Sequence, residues 1–441
     1  MESARGSAKV VPAGILIPFI LVTLLFPLWG FANDITNPMV KAFSRILQMS
    51  NFQGSLVQFA FYGGYFAMAF PAALFIKRYS YKAGILVGLG LYATGALLFI
   101  PSSMMMVFWP FLVAYFILTC GLSFLETSAN PYILSMGSEE TATRRLNLAQ
   151  SFNPMGSLLG MFVAQQFILA RLNPASAAER AAMPADQLAA LTAQDLGVIR
   201  TPYLGIALVI VVVFVAIAVT RMPAYGEEDR SLDVRPTLRR LSRNGRYVEG
   251  VVAQFFYVGA QIMCWTFIIH YGTMELGLTE VQAQGYNMVA MLIFVTSRFI
   301  CTFLLKYVSP GGLLLALALA GGVLTLGTIF ISGMVGLYCL VGVSACMSLM
   351  FPTIYGIALT GVGEDATLGA AGLIMAILGG SVMPPLQGAI IDLQTVSLGG
   401  LSFPAVRASF LLVVLCFAVI AHYGWRTATG RSASAPRRRT A

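Results

Sequence analysis

The chain has 441 residues, of which 58% are hydrophobic and only 10% charged, and its net charge is +9. Soluble domains carry about 25% charged residues, so this composition excludes a water-soluble protein and implies one embedded in a lipid bilayer. The positive charge comes with no nucleic-acid-binding module, so no nucleic-acid partner is expected.

A membrane-crossing helix needs about 20 apolar residues. Twelve such stretches follow one another, at 15–42, 53–76, 83–101, 107–136, 146–170, 201–222, 245–274, 281–306, 312–331, 335–361, 366–391 and 405–425. The first has no short apolar core followed by a small-residue cleavage site, so it reads as a retained helix. The pattern predicts an all-α membrane protein of twelve transmembrane helices in two six-helix, pseudo-symmetric halves. The halves are residues 1–222 and 245–426, joined by a charged linker at 223–244 and followed by a disordered basic tail at 427–441. If both termini are cytoplasmic, 20 of the 27 basic residues fall on the inner side and six on the outer. That excess satisfies the positive-inside rule. The run Arg437, Arg438, Arg439 then suits anionic headgroups. Six spans, a long linker and six more are what a two-fold transporter repeat requires.

Span one reads WGFANDITNP, so Asn33, Asp34 and Asn37 precede Pro38. Span four reads FLETSANP, with Glu126 and Asn130 one helical turn apart ahead of Pro131. Asp34 and Glu126 are the only acids, out of 18, that fall neither near a span end nor in a loop. A carboxylate in hydrocarbon costs roughly 3 kcal/mol on insertion scales, and such residues mark ion pathways and proton relays. Two matching acid–amide–proline sets therefore point to proton coupling by Asp34 and Glu126.

Span five carries Asn147, Gln150, Asn153 and Ser157 at helical spacing, which predicts one polar stripe. The following segment, 171–200, predicts one or two short amphipathic helices, with Pro184 near a helix start. Span seven carries Gln254, Tyr257, Gln261 and Trp265, and span eight adds Asn287 beside Tyr286. Amides both donate and accept, which suits neutral polyols, and an aromatic ring suits the C–H face of a sugar. The candidate substrate-binding residues are Asn33, Asn37, Asn130, Gln150, Asn153, Tyr257, Gln261, Trp265 and Asn287. Arg298, within span eight, is expected to pair with backbone carbonyls or an inner-face carboxylate. His270 and His422 lie near span ends, and a structural role is expected for each. Six cysteines, all within spans, read as small packing residues.

No Gly-rich phosphate loop of the GxxxxGK[ST] type occurs, which argues against an ATP-driven pump. No His/Cys cluster has metal-ligand spacing, and no span carries a nucleophile or His–acid motif. The chain is therefore expected to be a transporter and not an enzyme, with no cofactor, no metal and the proton as coupling ion. A membrane sugar sensor without net transport is the alternative from another class.

The motifs WGFANDI, NFQGSLVQFAFYGGYF, KRYSYKAGI, FLETSANPY, RRLNLAQSFN, QFFYVGAQIMCW and MFPTIYG resemble the major facilitator superfamily, and within it the fucose permease (L-fucose–proton symporter) family. The resemblance covers nearly the whole chain, and ETSANP followed by RLNLAQSFN is its most specific part. It implies proton coupling at Asp34 and Glu126 and a sugar pathway at Gln150 and Asn153. It further implies a bacterial inner-membrane protein that imports a neutral monosaccharide, L-fucose first; a monomer is expected. The family also includes transporters of glucose, galactose and N-acetylglucosamine, which share these carboxylates and amides. The chain departs from the family mainly in 171–200 and in the Arg-rich tail.

Overall fold

A computed structural model describes residues 10–48, 51–175, 177–223, 233–398 and 401–430. The helices α1 (Leu16–Thr23) and α2 (Leu25–Ile46) form span one, followed by α3 (Asn51–Arg78), α4 (Tyr81–Met105) and α5 (Phe108–Ser135). Next come α6 (Ala142–Gln150), α7 (Asn153–Val163), α8 (Ala177–Ala181), α9 (Ala185–Val219) and α10 (Val234–Arg243). The rest are α11 (Gly245–Leu276), α12 (Glu280–Leu304), α13 (Pro310–Phe330), α14 (Met334–Met347), α15 (Met350–Leu359), α16 (Ala366–Met375), α17 (Gly379–Ile391), α18 (Ala405–Ala408) and α19 (Leu411–Ala428). The fold is all-α as expected, with one short antiparallel hairpin, β1 (Thr395–Leu398) with β2 (Leu401–Pro404), between α17 and α18.

Eleven helical stretches among the described residues are long and apolar enough to cross a membrane. The expected twelfth, span five, does not run as one helix: it is split into α6 and α7, with turn residues at Ser151 and Phe152. Pro154 falls in the first turn of α7, where it offers no amide hydrogen to bridge the break. Span ten is interrupted in the same way, between α14 and α15, just ahead of Pro352. Span six begins earlier than its apolar run: α9 starts right after Pro184 and continues without interruption to Val219. One of the expected short helices in 171–200 is thus α8, and the other is the start of α9.

Two compact units divide the chain. The first comprises Ala13–Tyr132 and Phe152–Leu232; the second comprises Met1–Pro12, Ile133–Ser151 and Asp233–Ala441. This division differs from simple sequence halves in one main respect, because Ile133–Ser151 belongs with the second unit. The residues 224–232 of the linker and 431–441 of the basic tail lie outside the described residues, and α19 itself runs on to Ala428.

In the first unit, Phe99 stacks on Tyr203 at 3.8 Å between centroids, and Tyr203 shares a 2.9 Å hydrogen bond with Tyr115. The second lysine of the KRYSYKAGI motif, Lys82, donates to the carbonyls of Ala218 and Thr220 at 2.8 and 3.0 Å. It thereby supplies donors to the open carbonyls at the C-terminal end of α9, a standard use of lysine at a helix end. Arg180 and Asp195 form a buried ion pair at 2.5 Å, and Asp195 also accepts from the Asn173 amide at 2.9 Å. These bonds order the 171–200 segment.

In the second unit, Asn244 caps α11, and Thr279 with Gln282 forms a capping box at the start of α12. Two side chains of the linker helix α10 tie it to Asp365: Arg240 donates at 2.6 and 2.8 Å and Thr237 at 3.1 Å. Arg407 donates twice to the Ile329 carbonyl, at 2.6 and 2.8 Å, which caps α13, and pairs with Glu275 at 3.3 Å. Arg145 is fully buried and donates to the carbonyls of Ile133 and Leu134 at the end of α5. Cys339 is half-buried and the other five cysteines are buried.

Candidate functional site: two polar walls

The first wall lies in the first unit, where α2 crosses α7 at very short range. A β-carbon on Gly156 would come within 1.9 Å of the Pro27 carbonyl oxygen, and one on Gly30 within 2.1 Å of the Asn153 carbonyl oxygen. Only glycine permits that approach. The crossing brings α7 side chains onto α2. Asn153 donates its amide to the Phe26 carbonyl at 3.1 Å, and the Ser157 hydroxyl donates to the Gly30 carbonyl at 3.3 Å. Ser157 also lies beside the carboxyl of Asp34, which is within electrostatic reach of Tyr62 on α3. Asp34 and Asn33 are half-buried, and the Asn33 Oδ1 is buried without a partner among the described residues. The side chain of Asn37 lies outside the described residues.

Glu126 sits deeper, at 5% exposure, and its Oε1 accepts a 2.7 Å hydrogen bond from the Tyr65 hydroxyl. Asn130 is fully buried and turns its amide back to the Glu126 carbonyl at 3.0 Å. Among the described residues no lysine, arginine or histidine forms an ion pair with Asp34 or Glu126. Tyr65 escapes the sequence reading because it sits in the FYGGYF run with neither acid nor amide beside it. The spacing of Ser157 marks it only as part of a polar stripe.

The second wall lies in the second unit. Gln261 and Trp265 on α11 are half-buried, and Trp265 donates its indole N–H to Ser344 at 3.3 Å while meeting Phe294 edge-on at 5.0 Å. Gln261 makes no hydrogen bond among the described residues, so its amide is available to a ligand. Asn287 is half-buried, and its Oδ1 has no partner among the described residues. Tyr257 is fully buried and gives its hydroxyl to the Met347 carbonyl at 3.2 Å. Gln254 is likewise buried, with both amide atoms unpartnered among the described residues. Gln150, at the end of α6, is 5% exposed.

The predicted span-five stripe is corrected by this placement. Asn147 and Gln150 stand on α6 in the second unit, Asn153 and Ser157 on α7 in the first, because the helix breaks between them. Asn147 bonds the Thr353 hydroxyl at 3.2 Å and is sealed from solvent. Among the described residues no group of three His, Cys, Asp or Glu could hold a metal ion.

Interrupted apolar helices, polar side chains within them and acids with no ion-pair partner among the described residues are the marks of a secondary transporter. A model of the Major Facilitator Superfamily matches residues 22–384. The L-fucose-proton symporter of Haemophilus influenzae is 52% identical over 95% of this chain and 98% of its own. The glucose/galactose transporter of Brucella abortus is 32% identical over 91% of this chain and 92% of its own. A crystal structure of the E. coli fucose:proton symporter, FucP, superimposes with a TM-score of 0.85 at 35% identity, covering 93% of this chain and 98% of that one. The chain belongs to the major facilitator superfamily and, within it, to the fucose permease family. It is a multi-pass membrane transporter and not an enzyme.

Proposed function

We propose that the protein is a proton-coupled symporter that imports L-fucose by alternating access. The observation that carries this reading is the pair of acids Asp34 and Glu126 in helices apolar enough to cross a membrane, Asp34 beside Ser157 and Glu126 bonded to Tyr65, with no cation paired to either among the described residues. A buried carboxylate without a cation is tolerated when it takes up a proton. Asp34, the more exposed of the two, is the primary acceptor from the outer side. Glu126, held by Tyr65, relays or releases the proton inward. The amides Gln150, Asn153 and Gln261 hold sugar hydroxyls, and Trp265 lies against the ring, with Asn33, Asn37, Asn130, Tyr257 and Asn287 completing the polar lining across the transport cycle. The basic-residue balance supports cytoplasmic termini and a bacterial inner membrane.

A neutral substrate matches the sugars for which the relatives are named, and Arg298 is taken up by the backbone. Its guanidinium donates to two backbone carbonyls, those of Ser348 and Gln150, and lies over Phe294 at 4.7 Å. An anionic sugar would need a cation in this low-dielectric setting. In proteoliposomes, an imposed inward pH gradient is expected to drive L-fucose accumulation, faster with an inside-negative potential. D-glucose, D-galactose and N-acetylglucosamine are the informative competitors. Inhibition by hexuronates or hexose phosphates with none by neutral monosaccharides would refute the reading, and sugar binding without net uptake would favour a sensor.

Gln261→Ala and Trp265→Ala are each expected to weaken L-fucose binding about tenfold while the protein still folds. Loss of a buried hydrogen-bond partner costs on the order of 1–3 kcal/mol, and neither side chain is fully packed. Isothermal calorimetry reads the change, and wild-type affinity in both variants would remove the second wall from the sugar site.

A further inference from the structure

Arg298 is 3% exposed and forms no ion pair with a carboxylate among the described residues. Its Nε donates to the Ser348 carbonyl at 2.5 Å and its Nη1 to the Gln150 carbonyl at 3.0 Å. These two acceptors share one property. In an α-helix a carbonyl accepts from the amide four residues on. Four residues after Gln150 stands Pro154, and four after Ser348 stands Pro352. Proline has no amide hydrogen, so the fourth residue on offers neither carbonyl a helical donor. One guanidinium serves both, one at the break of span five and the other at the break of span ten.

The surroundings form a joint. Beside the guanidinium, α6 meets α12 and α15 through Ser151 with Thr302 at 3.4 Å and Asn147 with Thr353 at 3.2 Å. Gln150 and Asn147 come from the first half of the sequence; Arg298, Thr302, Ser348 and Thr353 come from the second. Resting on the symport reading, we infer that Arg298 is a positioning residue. By occupying both proline-vacated carbonyls it fixes the end of α6, and with it the amide of Gln150, and it keeps α6 closed on α12 and α15. The transport stroke must release Gln150 from Arg298 before α6 can part from those helices. The planar fork of arginine reaches two carbonyls from separate nitrogens, whereas the point charge of lysine does not reproduce that geometry.

Cys301, one turn beyond Arg298 and 5% exposed, reports on the joint. The test uses full-length wild-type protein, R298A, R298K, P154A and the double variant P154A/R298A in proteoliposomes. Maleimide modification of Cys301 is mapped by mass spectrometry, and pH-driven uptake is compared with equilibrium exchange. R298A and R298K are both expected to label Cys301 about fivefold faster and to lose more active uptake than exchange, since lysine keeps the charge but not the fork. P154A restores an amide donor to the Gln150 carbonyl, so R298A in that background is expected to give less than about half its labelling increase, the non-additivity that marks a shared partner. Wild-type labelling in R298K, or an R298A effect undiminished by P154A, overturns the inference. If R298A does not fold, R298K and its double variant with P154A decide the same question. Labelling requires no sugar, so it tests the joint even if wild-type protein fails to take up L-fucose, a failure that would count against the symport reading alone.

Discussion

Asp34→Asn protein is expected to lose proton-driven sugar accumulation while retaining sugar exchange. Asparagine has nearly the shape of the protonated acid and can keep the contact with Ser157. A charged carboxylate in the closed site costs roughly 3 kcal/mol, which corresponds to about a hundredfold bias against closing without the proton. The variant carries no such charge, so the site closes equally well with or without a gradient. Internal sugar should then level off at the external concentration instead of exceeding it. Radiolabelled uptake and counterflow, measured in the same vesicles, separate the two outcomes. If the variant concentrates sugar at the wild-type rate, the coupling acid lies elsewhere.

Glu126→Gln is expected to cut active uptake by about tenfold or more and to leave exchange nearly intact, because exchange need not release the proton. The amide oxygen of glutamine can still accept from the Tyr65 hydroxyl, so the 2.7 Å contact has a substitute and the fold is not at risk. Tyr65→Phe supplies the complementary probe. It leaves the acid in place but removes its hydrogen-bond donor, at a cost on the order of 1–3 kcal/mol. Its uptake should shift in pH dependence more than in maximal rate. An unchanged pH profile in both variants would take Glu126 out of the proton path.

The spans were legible because hydropathy and length decide them locally. Asp34 and Glu126 were legible for the same reason: an acid in an apolar run stands out without any knowledge of neighbours. The break in span five was not. Asn147, Gln150, Asn153 and Ser157 keep helical spacing across it, and a single proline inside a span is often tolerated as a kink. The break becomes understandable once Arg298, 148 positions away, is seen on the Gln150 carbonyl. The tyrosine that holds Glu126 is 61 positions away on another helix, beyond the reach of any local pattern. The start of span six was not legible either, for another reason. Residues 185–200 are too polar to count as membrane-spanning, yet Ala and Leu at helical spacing continue the same helix past the apolar run.

That long helix has a practical consequence. At 35 residues, α9 extends about 52 Å, against a hydrocarbon thickness of about 30 Å. About 20 Å of it therefore stands clear of the hydrocarbon, and the buried Arg180–Asp195 pair fixes the preceding turn to its side. A transporter of this size offers little ordered mass beyond the detergent belt for particle alignment in cryo-electron microscopy. The projecting end of α9 provides a rigid mount: a helical fusion joined in register at its start, or a nanobody raised against residues 177–196, would hold a fiducial firmly while leaving both polar walls untouched.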